Sequence, residues 1–141
     1  MAIWHFQFFV VPANAASPVE TTEGIESAAS WSDSTEPSWS SIAGGDLEQV
    51  SSWSPDVELW GDDKTVQIYI VRKAGKIVDC FVRVDVRSDS SELLSKLLPR
   101  LKSAGLFLAF PPDAPVTPSI TDVLERLRHS KAFQLFRGSE E

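Results

Sequence analysis

Apolar and polar positions alternate most clearly between residues 64 and 87. Over residues 65–72, Val66, Ile68 and Ile70 share one side. Over residues 77–87, Val78, Cys80, Val82, Val84 and Val86 share one face, while Asp79, Phe81, Arg83, Asp85 and Arg87 take the other. Alternation with period two in β-branched residues predicts two strands, and Lys73-Ala74-Gly75-Lys76 predicts the loop of a hairpin between them. Residues 57–60 predict a short strand, closed by a turn at 61–64, so that the three strands form an antiparallel meander. Trp4, Phe6, Phe8 and Val10 alternate with His5 and Gln7, which predicts a further strand over residues 3–11. Residues 106–110 predict another, ended by Pro111 and Pro112.

Helical spacing appears twice. Asp89-Ser90-Ser91-Glu92 has capping-box spacing, and Leu93, Leu94, Leu97, Leu98 and Leu101 form one stripe up to Gly105. Pro99 inside that stripe is expected to kink the helix or end its regular part. Ser119-Ile120-Thr121-Asp122 opens a second helix with Ile120, Val123, Leu124 and Leu127 on one face, and His129 at its end suits the helix dipole. Residues 132–136 are either a turn of helix or an edge strand, and the pattern allows short helices at 24–29 and at 46–51, the second capped by Asp46. The expected fold is α+β: a mostly antiparallel sheet of four or five strands, with helices at 90–104 and 119–130 packed on its valine face. A single domain spans 1–141, with a polar arm at 13–55 between the first strand and the meander.

Composition narrows the function classes. The 141 residues are 43% apolar, enough for one core, and no run approaches the roughly 20 apolar residues that span a bilayer, so no membrane partner is expected. The net charge of −7 is unevenly spread: residues 1–63 hold 11 Asp and Glu and no Lys or Arg, whereas 64–141 hold all 13 Lys and Arg against nine acidic residues. An acidic half repels phosphate backbones, which argues against nucleic acid. It either steers a basic protein partner or solvates an irregular arm. The single cysteine, Cys80, falls on the apolar face and reads as a buried thiol. Residues 13–16 carry an A-x-A-like site, so a secreted or periplasmic domain starting near Ala16 is one reading. The strand pattern of residues 3–11 favours a cytoplasmic protein instead.

The arm repeats Ser-Trp-Ser around Trp31, Trp39 and Trp53 at irregular spacing. These tryptophans either anchor the arm to the sheet or stand exposed as partner hot spots. Trp53, which adjoins the sheet, is expected to anchor. Trp31 and Trp39 stay between the two readings, and with Asp33, Glu36, Asp62 and Asp63 they form the expected partner-binding surface.

No cofactor, metal ligand or catalytic residue is assigned. His5 and His129 lack zinc-ligand spacing, and neither a phosphate loop nor a Gly-x-Ser-x-Gly elbow is present. Asp62 and Asp63 read as turn chemistry. The row Asp79, Arg83, Asp85 and Arg87 is either a solvated face with cross-strand pairs or a catalytic or ligand-binding surface. Sheet edges leave homodimerisation open.

Several segments carry a resemblance: Ser52-Trp53-Ser54 through Trp60-Gly61-Asp62-Asp63, the hairpin, Arg83-Val84-Asp85-Val86-Arg87-Ser88, and Ser130-Lys131-Ala132-Phe133. Over residues 50–136 the chain resembles small bacterial proteins associated with the immunity proteins of polymorphic-toxin or contact-dependent inhibition systems. Residues 12–49 hardly take part. The resemblance implies a cytoplasmic binding protein and no particular ligand. The functional expectation is a non-enzymatic protein-binding domain, in its specific form a toxin-neutralising immunity protein whose acidic half faces a basic partner. The alternative is a small enzyme or ligand-binding protein using Asp79, Arg83, Asp85 and Arg87.

Overall fold

The β-branched run of the central hairpin folds as the sequence demands. In the computed structural model, which describes residues 4–12, 19–21, 24–26, 31, 36–111 and 113–140, it forms β6 (Val66–Lys73) and β7 (Lys76–Asp85). Its connection is tighter than the predicted four-residue loop. Ala74 and Gly75 alone turn the chain, both with positive φ (54° and 80°), a pairing of angles that matches the right-handed twist of the flanking strands.

Around this hairpin lie β1 (His5–Pro12), β4 (Gln49–Val50), β5 (Val57–Gly61) and β8 (Leu106–Ala109), giving a six-stranded sheet ordered β4-β5-β6-β7-β1-β8 with every neighbouring pair antiparallel. A separate two-stranded hairpin joins β2 (Val19–Thr21) to β3 (Gly24–Glu26). The fold is therefore α+β with an antiparallel sheet, one strand larger than expected. The added strand, β4, and β3 occupy the two stretches where short helices were allowed. A short helix forms instead at α1 (Trp39–Ala43), capped by the Ser38 hydroxyl and ended by Gly44 in left-handed conformation.

The main helices match their leucine and valine stripes. α2 (Ser91–Ser103) runs on through Pro99, and its N-cap is Ser90 rather than Asp89. The Asp89 carboxylate instead accepts from the Ser91 N–H at 3.0 Å and the Ser91 hydroxyl at 2.6 Å. α3 (Ile120–Arg128) is capped by Ser119 as its spacing predicts, and the tail forms helix α4 (Lys131–Glu140).

Apolar positions of α1, α2 and α3 cover one face of the sheet. Leu94, Leu97, Leu98 and Leu101 pack with Ile42, Val123, Phe8, Ile68, Cys80, Val82 and Val84 in one continuous core. The opposite face has its own small cluster of Phe9, Val11 and Ala109, flanked by Phe81 and Phe107. The alternation in β7 fails at one point. Val71 pairs with Asp79 while Arg72 pairs with Ile77, so Val78 is an extra, bulged residue. Ile77 takes the core position expected of Val78, which is left exposed.

Candidate functional site

The two sheet faces and the β4–β5 edge place each residue of the expected sites. Trp31 and Trp39 go inward: they are 8% and 5% exposed, lie 6.3 Å apart ring to ring, and belong to the main core. Neither presents a side chain to a partner, because burying an indole against Ile42 and the leucines of α2 removes far more apolar area from water than solvent contact would allow. Trp53 does the reverse of what was expected. It rests 5.9 Å from the Tyr69 ring yet keeps 74% of its surface exposed. It sits in a turn beyond the end of β4, and only one face of its indole meets the sheet.

The carboxylates separate into two groups. Glu36 holds Arg72 through two bonds of 2.8 and 3.0 Å, and these pull its pKa below the usual value. Arg72 also reaches Glu58 at 3.3 Å, and Asp46 holds Arg100 at 2.8 Å. Glu36 is thus an internal counter-ion rather than a partner contact. Asp62 accepts from the Lys64 N–H and the Thr65 hydroxyl in its turn, at 2.8 and 3.2 Å. Glu48, Asp56, Asp62 and Asp63 make no ion pair among the described residues. The Glu48 carbonyl accepts from the Gly61 N–H and Val50 pairs with Leu59, which sets Glu48 on the β4–β5 edge, and Asp56 follows Trp53 in the segment that leads into β5. Asp62 and Asp63 sit in the turn from β5 to β6, where Asp63 acts electrostatically on Arg87. Asp33 lies outside the described residues.

The polar row of β7 is divided rather than assembled. Asp79 and Asp85 stand six residues apart on one strand, roughly 20 Å at about 3.3 Å per residue, so their carboxylates do not converge. Asp85 is 2% exposed and is closed off by Arg87, whose guanidinium donates to it at 2.7 and 3.0 Å; these bonds lower its pKa. Arg87 also lies 5.9 Å over the Trp4 ring. Arg83 lies over the rings of Tyr69 (4.8 Å) and Phe81 (5.7 Å) and donates to the Tyr69 hydroxyl at 3.3 Å and to Gln7 at 3.4 Å. Across the three central strands Gln7, Arg83 and Gln67 stand in register, with His5 opposite Asp85. Two atoms of this row, Arg83 Nε and His5 Nδ1, are buried without a hydrogen-bond partner.

Cys80 is buried in the main core, and desolvation raises its thiol pKa well above the ordinary value, so it stays protonated and inert. The feature that sequence reasoning missed is the aromatic ladder Trp53–Tyr69–Phe81–Phe9, with Tyr69 and Phe81 stacked at 4.7 Å. Cross-strand register was the only signal for it, since Tyr69 and Phe81 are partners across β6 and β7. No family model, no curated protein and no solved structure matches this chain.

Proposed function

We propose that this protein is a non-enzymatic binding domain that docks a basic protein partner on the β4–β5 edge of its sheet. The observation that carries the reading is Trp53, exposed over most of its surface while resting on Tyr69 of the aromatic ladder, with Glu48 and Asp56 in the flanking segment making no ion pair among the described residues. Val50, 40% exposed, extends the apolar patch. Tryptophan is among the residues enriched at interface hot spots, and carboxylates in the flanking segment favour lysine- and arginine-bearing partners and speed their approach. Neutralisation of a basic toxin, as in the immunity proteins that the chain resembles, is the specific form of this proposal.

A second reading rests on the unmet Arg83 Nε and His5 Nδ1 atoms: a ligand held on the polar row of β1, β6 and β7. One experiment separates the two. The tagged full chain is used to capture a partner from its host's lysate, and the purified partner is then titrated against three forms of the protein. Trp53→Ala should weaken binding by at least about tenfold, on the order of 2 kcal/mol for a hot spot, without changing stability. Binding should also weaken as ionic strength rises. A partner that binds Trp53→Ala as tightly as wild type but loses affinity for Arg83→Gln would replace the edge reading with the polar-row reading.

A further inference from the structure

β8 lies beside only the second half of β1. Its register sets Ala109 opposite Phe9 and Leu106 opposite Pro12, and it reaches no further back along β1. Continued by two residues, the same register would set Pro111 opposite Gln7. Proline has no N–H to give to a ladder, so the pairing ends there. The first half of β1 keeps β7 on one side and pairs with no described strand on the other.

One bond decides which backbone groups are left. The Trp4 carbonyl accepts from the Val86 N–H at 2.9 Å, so Trp4, Phe6 and Phe8, in step, turn their groups toward β7. Phe9 and Val11 turn theirs toward β8, and Gln7, in step with them, aims its N–H and C=O at the gap. Neither group has a hydrogen-bond partner among the described residues. The outer edge of β8 is closed by contrast, since Leu108 exchanges two bonds of 2.8 Å with Val116.

A cavity of about 350 Å³ lies at this gap. It touches both Phe6 and Gln7, neighbours on opposite faces of the sheet, which places it at the edge of the strand. Phe6, Phe110 and Pro111 give it an apolar wall. Its polar side chains are engaged within the protein. Arg126 pairs with Asp113 at 3.0 Å, the Ser130 hydroxyl donates to the Leu127 carbonyl at 2.6 Å, and His129 Nδ1 donates to the Glu125 carbonyl at 2.8 Å. An ion finds no free counter-charge there. What is unmet is a backbone donor and a backbone acceptor on one residue of a strand, and the group that complements both is another peptide backbone.

We propose that this cavity takes an extended, uncharged peptide segment of another protein, added as a strand beside β1 in line with β8. One residue of the peptide exchanges two hydrogen bonds with Gln7, and an apolar side chain of the next residue lies against Phe6 and Pro111. Strand addition draws affinity from main-chain bonds and specificity from pockets for alternate side chains, and an open strand edge is its template. The site lies on β1, three strands away from the β4–β5 edge that carries Trp53, so it stands or falls independently of that edge.

N-acetyl-Leu-Ala-Leu N-methylamide titrated into the full chain, followed by amide chemical shifts and hydrogen exchange, tests the proposal. The expected result is saturable binding in which the Gln7 amide shifts and exchanges more slowly with solvent. The same peptide N-methylated at its alanine cannot donate to the Gln7 carbonyl and should bind at least about fivefold more weakly, the loss of one hydrogen bond. The triglycine analogue, lacking the apolar side chains, should also bind more weakly. The proposal is overturned if no saturable shift occurs, if the shifts centre away from Gln7, or if the N-methylated peptide binds as tightly. A Gln7 amide that shifts with protein concentration alone would overturn it too, and would assign the edge to a second copy of this chain.

Discussion

Asp79 owes its environment to one extra residue. The bulge at Val78 sets Asp79 opposite Val71, half-buried, with its carboxylate accepting from the Cys80 N–H at 2.9 Å. Burial dominates over that bond and pushes the carboxyl up to about 6, from an ordinary value of 3.8. The folded protein therefore holds this proton over a range in which the unfolded chain has released it. The penalty is absent below about pH 4, grows as pH rises, and is complete above about pH 6. At about 1.4 kcal/mol per pKa unit, and discounted for the solvent that a half-buried group still meets, the cost at neutral pH is on the order of 1 kcal/mol. Asp79→Asn should accordingly be more stable than wild type at pH 7, with the difference vanishing toward pH 4. Urea unfolding at several pH values measures it. A difference that does not change with pH would remove burial of the charge as its cause.

The elements were largely legible because their patterns are long. β6, β7, α2 and α3 each repeat an apolar period several times, and each lies within a few residues of its predicted place. The candidate sites were not legible, because the three Ser-Trp-Ser tripeptides are locally identical and differ only in what surrounds them. Trp39 begins a spacing of Trp39, Ile42 and Ala43 between Ser38 and Gly44, a one-turn amphipathic helix whose apolar side must be buried. Trp53 has no such companions, and its exposure follows from the position of β4, a two-residue strand too short to show periodicity. The N-terminal strand carries the strongest prediction at this scale. β1 is an interior strand, paired with β7 on one side and β8 on the other, and Phe8 and Val10 lie in the main core. A chain beginning at Ala16 would leave two strand edges open and the core unfilled. It should not fold, as judged by loss of near-UV circular dichroism. The milder Phe8→Ala should cost about 3–5 kcal/mol, the usual range for a buried phenylalanine. A stable fragment from Ala16 would instead revive the reading in which the first residues are removed.

At the scale of the molecule, the uneven charge along the chain becomes pairing within it. Of the seven acidic residues described between positions 36 and 63, three (Glu36, Asp46 and Glu58) pair with arginines or lysines of the second half. The contacts of Glu36 with Arg72 and of Asp46 with Arg100 fasten residues 36–46 to the sheet and to α2. They do not hold the segment by themselves, since partly exposed pairs contribute at most about 1 kcal/mol. Trp39 sits in the same segment, and burying an indole of about 200 Å² at about 25 cal/mol per Å² contributes several times as much. The division of labour follows: apolar burial attaches the segment, and the ion pairs fix which way it lies. A double-mutant cycle on Glu36→Gln and Arg72→Met should therefore give a coupling of about 1 kcal/mol at low ionic strength, shrinking at about 1 M salt. Trp39→Ala should cost about 3–5 kcal/mol at either salt concentration. A coupling that survives high salt unchanged would mean that the pair is shielded from solvent and takes a larger share in the attachment. With those three acids paired inside the fold, Glu48, Asp56, Asp62 and Asp63 are the acidic residues of positions 36–63 that make no ion pair among the described residues, and Glu48 and Asp56 flank the segment where Trp53 stands exposed.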